Sequence, residues 1–170
     1  MIGWTIAGCI LLLFGAVVFR GAPYVPSHRR SMAAALDLLG LAKGDLVVDL
    51  GAGDGAFLKA AAKRGHHAIG YEINPILCVV AWLRCWPVRS LTSIRLRDFW
   101  LSELPTDTKA VYFFLAGPFM LRAKRKLERD MKNRQTPLWV VSNGFAIPGL
   151  EPVKTQHGVY LYELQPASGA

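Results

Sequence analysis

With 170 residues, the chain is long enough for one domain with a substantial core and too short for two ordinary domains. It is 52% hydrophobic yet carries a formal net charge of +8, a combination expected when a membrane segment is joined to a basic globular part. Its three cysteines, Cys9, Cys78 and Cys85, have no C-x-x-C spacing, which argues against a disulfide framework or a zinc site and favours a reducing compartment.

The N-terminal residues 2–19 form an apolar stretch without charge or proline. Eighteen helical residues span about 27 Å, which matches the hydrocarbon core of a bilayer, so we predict a single transmembrane helix. A cleaved signal peptide and a buried helix are the alternatives, and the lack of a basic n-region argues against the first. Arg20, Arg29 and Arg30 follow the stretch, so the positive-inside rule places the globular part on the cytoplasmic, or matrix-like, side.

This stretch divides the chain into three parts. We predict a transmembrane anchor over residues 1–22, a globular domain over 23–165 and a flexible tail over 166–170. Within the globular domain, Pro23–Ser27 predicts a linker, and apolar residues at helical spacing predict a helix over 29–39 that ends at Gly40.

A glycine-rich turn follows the first predicted strand. The apolar run Leu46–Val48 leads into Asp49-Leu50-Gly51-Ala52-Gly53-Asp54-Gly55, and an Ala- and Lys-rich stretch comes next. This order predicts strand, tight turn and helix. Glycine lets a ligand approach the backbone, and a helix start offers unpaired N–H groups and a positive dipole end. The turn is therefore a candidate nucleotide site, the alternative being a tight connection and nothing more.

An acidic residue, Glu72, lies at the end of the next predicted strand, His67–Ile73. It follows Gly51 by 21 positions, close to the separation at which a carboxylate holds a ribose diol beside such a turn. The pattern Gly-x-Gly-x-Gly with Asp54 departs from G-x-G-x-x-G, the pattern of dinucleotide-binding proteins, so NAD is a less favoured ligand.

Asn74 and Pro75 predict the start of a helix, with Asn74 as its N-cap and Pro75 in its first turn. The helix stops at Pro87. Trp82 and Trp86 lie four residues apart on it, and we expect them to be packing residues rather than ligand contacts.

The next predicted strand, Ser93–Asp98, ends on Asp98-Phe99-Trp100. At the carboxyl end of a strand, an acid can hydrogen-bond the amino group of an adenine and an aromatic ring can cover its face. The alternative is a helix N-cap followed by two core aromatic residues.

Ala110–Leu115 is the clearest buried strand, and its carboxyl end should lie beside the glycine turn. Ala116-Gly117-Pro118-Phe119 would then border any reacting group, although this segment supplies no acid or base.

The segment 121–134 is strongly basic. A charge run of this kind is usually a solvated helix face, and beside a membrane anchor anionic lipid headgroups are the expected partner. No aromatic residue interleaves the basic ones, which argues against nucleic acid. The basic residues are Arg122, Lys124, Arg125, Lys126, Arg129, Lys132 and Arg134.

A fifth strand is predicted at Leu138–Ser142, and residues 151–156 and 159–164 predict a hairpin about His157-Gly158. Alternating strands and helices that finish in a hairpin predict an α/β fold with a mostly parallel sheet and an antiparallel edge.

Three segments together carry a family resemblance: the turn Asp49–Gly55, Gly70-Tyr71-Glu72-Ile73-Asn74-Pro75, and Asp98-Phe99-Trp100. In this order and spacing they resemble class I S-adenosylmethionine-dependent methyltransferases, which implies a Rossmann-like seven-stranded sheet. The N-terminal apolar stretch followed by Pro23–Ser27 makes the chain similar to the membrane-anchored protein-lysine methyltransferases of the FAM173 type, known from mitochondria.

The resemblance implies how S-adenosylmethionine would lie. Gly51, Gly53 and Gly55 would line its methionine and ribose portion, Glu72 would hold the ribose hydroxyls, and Asp98 with Phe99 would meet the adenine. The full set of expected cofactor residues is Asp49, Gly51, Ala52, Gly53, Asp54, Gly55, Glu72, Ile73, Asn74, Asp98 and Phe99.

The resemblance also bears on the acceptor. Where many members of the class have an Asn/Asp-Pro-Pro-aromatic motif, this chain has Ala116–Phe119, which argues against methylation of a nucleic-acid base. The expected acceptor is a lysine of a membrane-associated protein. The alternatives are a lipid or small amine, and a non-catalytic S-adenosylmethionine-binding scaffold. We identify no general base, and the candidates for the wall of a substrate channel are Tyr24, Trp100 and Phe119.

Overall fold

A computed structural model describes residues 28–166. The helices are α1 (Arg29–Leu39), α2 (Ala56–Lys63), α3 (Pro75–Cys85) and α4 (Met120–Met131), with short 3-10 turns at Trp86–Val88 and Gly117–Phe119. The strands are β1 (Leu46–Leu50), β2 (His67–Glu72), β3 (Thr92–Leu96), β4 (Thr108–Phe113), β5 (Leu138–Asn143), β6 (Lys154–Gln156) and β7 (Val159–Leu164).

The predicted anchor over residues 1–22 lies outside the described residues, as do Tyr24 and the rest of the linker. None of the helices between residues 28 and 166 combines the length and the apolar character that crossing a membrane requires.

The seven strands form one sheet in the order β3-β2-β1-β4-β5-β7-β6. β1 to β5 run parallel, and β7 is antiparallel to both β5 and β6. All five residues of β1 are buried at the centre of this sheet, as expected for a parallel strand covered on both faces. The predicted Rossmann-like seven-stranded sheet, with the hairpin at its antiparallel edge, is confirmed.

The order of the strands fixes where a ligand would lie. The chain leaves β1 toward β2 and β3 on one side and then returns to β4 on the other, so the connections diverge between β1 and β4. In open α/β sheets ligands bind outside the carboxyl ends of the strands at such a switch point. Asp49 stands there, opposite Gly70 of β2 and Tyr112 of β4.

The core has two layers. Helices α1 and α2 and the buried end of α3 cover one face of the sheet, and α4 with the segment 99–100 covers the other. The helix predicted over residues 29–39 is confirmed, and it packs Ala35, Leu36 and Leu39 against the sheet before Gly40 ends it with a φ of 55°.

The expectation of a solvated or lipid-facing basic surface over residues 121–134 is wrong for several of its members. Lys126 is only 3% exposed, donates to the carbonyl of Ser102 at 2.7 Å and pairs with Asp130 at 2.6 Å. Arg129 donates to the carbonyl of Trp100, and Arg134 donates to that of Thr108. Lys126 and Arg134 turn inward, and the exposed Arg129 also donates to a carbonyl, because the connection between β3 and β4 exposes backbone carbonyls that need donors.

Trp82 and Trp86, expected to be packing residues, pack against each other at the surface. Their side chains are 50% and 47% exposed, and they contact each other edge to face with ring centroids 4.7 Å apart. The inward face of α3 is made of smaller residues, Ala81 and Cys85, because the helix approaches the glycine turn too closely for large ones.

Candidate functional site

The glycine turn lies at the carboxyl end of β1 and is tied to β2. The backbone N–H groups of Gly51 and Ala52 both donate to the carbonyl of Tyr71, at 3.0 and 2.9 Å. Gly51, Gly53 and Gly55 all have positive φ, which explains the three closely spaced glycines of the sequence. The predicted strand, turn and helix are confirmed.

Two of these glycines meet different surroundings. A Cβ added to Gly51 would meet only the ring of Phe99, at 3.7 Å, so space beside this backbone is open and bounded by an aromatic ring. A Cβ added to Gly55 would come within 2.9 Å of the Cβ and 3.0 Å of the Cα of Ala81. Gly51 therefore leaves room for a ligand, whereas Gly55 lets α3 pack against the turn.

Glu72 holds the turn through both carboxylate oxygens. One accepts from the N–H of Gly53 at 2.8 Å, and the other accepts from the N–H of Asn74 at 2.8 Å. The side chain of Asn74 accepts from the N–H groups of Ile76 and Leu77, which confirms its predicted role as the N-cap of α3. Glu72 thus joins the turn, the end of β2 and the start of α3.

The turn concentrates negative charge. Asp54 is compensated, because it pairs with Arg84 at 2.7 Å and accepts from the N–H of Ala56. Asp49 is buried and forms no ion pair within residues 28–166. Burial raises its pKa well above the usual 3.8, and the neighbouring charges of Glu72 and Asp54 raise it further. The site therefore favours a ligand that brings positive charge or hydrogen-bond donors.

Asp98 and Phe99 follow β3. Asp98 accepts from the N–H of Trp100 at 2.9 Å, so one of its carboxylate oxygens caps the local turn. This bond corresponds to the alternative interpretation of Asp98, in which it is an N-cap. Phe99 is 8% exposed and lies beside Gly51. The ring of Phe99 therefore borders the open space next to the glycine turn, and the contact of Asp98 with an adenine stays a prediction.

The side chain of Trp100 departs from its expected place in a channel wall. It is 4% exposed, lies 4.4 Å from Phe99 and 6.4 Å from Phe119 between ring centroids, and is covered by the guanidinium of Arg122 at 4.2 Å. Trp100 is buried because it fills the layer between the sheet and α4. It supports Phe99 and Phe119, of which Phe119 is half-buried.

The carboxyl ends of β4 and β5 add residues that we did not identify from the sequence. Phe145 is 43% exposed, and its ring would lie 3.5 Å from a Cβ added to Gly117. Asn143 is buried and donates to the hydroxyl of Tyr112 at 3.1 Å. The available signal was their position directly after an apolar strand, where parallel strands present ligand-binding residues.

These residues make a site with three kinds of surface. The first, which we call the acidic turn, consists of Asp49, Asp54 and Glu72 at the glycine turn. The others are the flat ring of Phe99 and an aromatic margin of Phe119 and Phe145. Carboxylates suit hydroxyl donors and cations, and an aromatic ring suits a flat base. Residues 28–166 contain no cluster of His, Cys, Asp and Glu arranged to hold a metal ion.

One protein-family model matches this chain. The model described as ANTKMT methyltransferase domain matches residues 49–154, which begin at the first residue of the glycine-rich segment.

Curated relatives carry related names. The chain is 34% identical over 134 residues to the adenine nucleotide translocase lysine N-methyltransferase of Mus musculus, covering 77% of this chain and 56% of that protein. It is 32% identical over 152 residues to a protein-lysine N-methyltransferase of Saccharolobus islandicus, covering 82% of this chain and 92% of that protein. The chain spans about half the length of the animal relatives it matches.

A solved structure shares the fold. An RNA methyltransferase from Salinibacter ruber, crystallised with S-adenosyl-L-homocysteine, superposes with a TM-score of 0.73 at 22% identity. The match covers 86% of this chain and 96% of that one.

Proposed function

Because the chain belongs to the family of the ANTKMT methyltransferase domain, we propose that it is an S-adenosylmethionine-dependent methyltransferase that modifies a lysine of a protein. The observation that carries this proposal is the acidic turn. The buried carboxylate of Glu72 holds the N–H of Gly53 at 2.8 Å, directly beside the open space next to Gly51.

The residues present fit this cofactor. Each oxygen of Glu72 accepts one backbone N–H and has a further lone pair for a ribose hydroxyl. Phe99 offers a ring for the adenine, and Asp49, without an ion pair within residues 28–166, offers a buried carboxyl group that the cationic groups of the cofactor would help to ionise. Asp54 is held by Arg84 and Ala56, so its part is to shape the turn.

The chemistry asks for alignment more than for catalytic groups. When bound, S-adenosylmethionine supplies a methyl group that its positive sulfur already activates for transfer. The chain must then exclude water and align an amine with that methyl group. Phe119 and Phe145 make an apolar margin at the carboxyl end of β4, and such surroundings lower the pKa of a lysine and favour its neutral, nucleophilic form.

The acceptor follows from the names of the relatives and from the N-terminal sequence. Both curated relatives described above are named for methylating protein lysines. Residues 2–19 are apolar enough to anchor a chain in a bilayer, which would hold the domain at the membrane on its cytoplasmic or matrix-like side. A lysine of a membrane-associated protein is therefore the proposed target.

A transfer assay tests this function. The full chain would be incubated with methyl-labelled S-adenosylmethionine and membranes of the organism that encodes it. We expect label in protein, and methyl-lysine after hydrolysis. Phe145→Ala should lower the transfer rate while leaving cofactor affinity unchanged, and Glu163→Gln, at an exposed position of β7, is the control variant. Label only in extracted lipid, or no transfer by a chain that binds the cofactor, would refute the proposed acceptor.

A further inference from the structure

The outward face of α3 is apolar along its whole length. Six large side chains are between 38% and 60% exposed and recur at the spacing of one helical face. We call this surface the α3 face, and it consists of Ile76, Val79, Val80, Trp82 and Leu83 of α3 and of Trp86 in the 3-10 turn that follows. Soluble helices normally turn such residues toward the core, and a contiguous apolar patch in solvent marks an interaction surface.

One cation, Arg89, lies at the edge of the α3 face. Residues 75–97 contain no aspartate or glutamate; of their other arginines, Arg84 pairs with Asp54 and Arg95 lies over the ring of Tyr71, on the opposite face of the sheet. The guanidinium of Arg89 lies 4.6 Å from the ring of Trp86, at the margin of the apolar surface. Arg89 therefore places positive charge at the edge of this face, and residues 75–97 supply no acid to neutralise it.

This combination matches one partner chemistry. Tryptophan collects at the boundary between headgroups and acyl chains, and aliphatic side chains enter the acyl region. Arginine at the edge of such a surface pairs with the phosphates of anionic lipids. We propose that the α3 face docks on the surface of a bilayer that contains anionic lipids, as a contact separate from the N-terminal apolar stretch and independent of the transfer reaction.

The inner side of the same helix connects this contact to the site. Ala81 of α3 packs against Gly55, and Arg84 holds Asp54. The N-cap Asn74 is bonded through its N–H to Glu72, whose carboxylate holds the glycine turn. A bilayer against the α3 face would therefore lie one helix diameter, about 10 Å, from the turn.

Fluorescence of the full chain in vesicles tests this contact. Proteoliposomes would contain phosphatidylcholine and phosphatidylglycerol brominated near the start of the acyl chains. The intact chain, with its five tryptophans, is compared with the double variant Trp82→Phe, Trp86→Phe. The difference between the two signals isolates the pair on α3. Trp139→Phe, in β5, is the matched control, and thermal unfolding verifies that each variant is folded.

We expect bromine to quench the Trp82 and Trp86 signal about twofold or more, because tryptophan on this face would lie at the level of the first acyl carbons. Quenching should weaken in vesicles without phosphatidylglycerol and in Arg89→Glu, since each arginine near an anionic surface contributes roughly a fivefold gain in binding. A pair that stays open to aqueous acrylamide would overturn the proposal. So would a pair shielded from acrylamide but not quenched by bromine, which would indicate a second copy, the N-terminal segment or another protein on this face.

Discussion

Two groups of charged side chains, most of them buried, lie on opposite faces of the sheet, and they find their partners in different ways. The loop clasp consists of Lys126, Asp130 and Arg134, with Arg129 beside them. Its cations meet a carboxylate and the backbone carbonyls of residues 100–108, although Nε of Arg134 has no hydrogen-bond partner among the described residues. The acidic turn consists of Asp49, Asp54 and Glu72. Within the described residues it has one cation, Arg84, and that cation is bound to Asp54.

The difference separates structure from function. Buried charges that pair with groups of the same chain hold a fold together, because removing either partner leaves the other uncompensated. A buried acid without an ion pair, as Asp49 is among the described residues, is retained at a cost to stability, and such groups gather at binding sites. The loop clasp is therefore a structural device, whereas the acidic turn is prepared for a ligand that brings donors and positive charge.

The largest effect that tests this comparison is expected in the loop clasp. Lys126→Met would leave Asp130 buried without its cation and should lower the free energy of unfolding by about 3–5 kcal/mol. Denaturant unfolding measures it, with exposed Lys132→Met as the matched control. Adding Asp130→Leu should restore most of the loss. If Lys126→Met lowers the free energy of unfolding by less than about 1 kcal/mol, the Lys126–Asp130 pair contributes no more than an ordinary surface salt bridge, which would contradict this assignment.

A pair of glycine substitutions sharpens the comparison within the turn. Gly55→Ala should cost about 2–4 kcal/mol of stability, because an alanine at positive φ is strained and its Cβ would overlap Ala81. Gly51→Ala meets no such overlap and should cost about 1–2 kcal/mol. Its main effect should be a roughly tenfold or greater loss of cofactor affinity, equivalent to about 1.4 kcal/mol.

Thermal unfolding and a cofactor titration of both variants separate the two roles. Equal losses of stability would contradict the assignment of Gly55 to packing and Gly51 to ligand space.

A smaller effect is expected from pH. Because the pKa of Asp49 is raised by burial and by Glu72, the folded state keeps a proton that the unfolded state has already released above the usual pKa of 3.8. This contribution to stability is present at low pH and is lost as pH rises toward the folded pKa. Asp49→Asn removes it, so the variant should gain on the parent chain by up to about 1.4 kcal/mol per pH unit in that window. If the free energies of unfolding of the parent chain and of Asp49→Asn change with pH in the same way between about pH 4 and 7, a raised pKa at Asp49 would be contradicted.

Much of the fold could be predicted from the sequence because its signals are local. The glycines after β1, the Asn74-Pro75 helix start and the His157-Gly158 hairpin each specify their own backbone geometry. The position of Glu72 beside the turn also followed, since adjacent parallel strands end at the same edge.

What the sequence could not provide depends on contacts between distant segments. The charge run in α4 resembled a solvated face because its partners, the carbonyls of residues 100–108, leave no trace in residue type. The sequence predicted Trp82 and Trp86 as packing residues without saying which face of α3 is inward, and the close contact of Ala81 with Gly55 turns both rings toward solvent. Phe145 was not predicted as a site residue because its place there depends on a tertiary contact, the approach of its ring to Gly117.

The central claim, that the acidic turn holds S-adenosylmethionine through Glu72, is tested most directly by titration calorimetry of the full chain. We predict binding by the parent chain and by Glu163→Gln, and about 10- to 150-fold weaker binding by Glu72→Gln, because a hydrogen bond to a charged acceptor contributes about 1.5–3 kcal/mol. Thermal unfolding of the unliganded variants accounts for the lost bonds to Gly53 and Asn74. No binding heat with the parent chain, or unchanged affinity in a folded Glu72→Gln, would contradict the account.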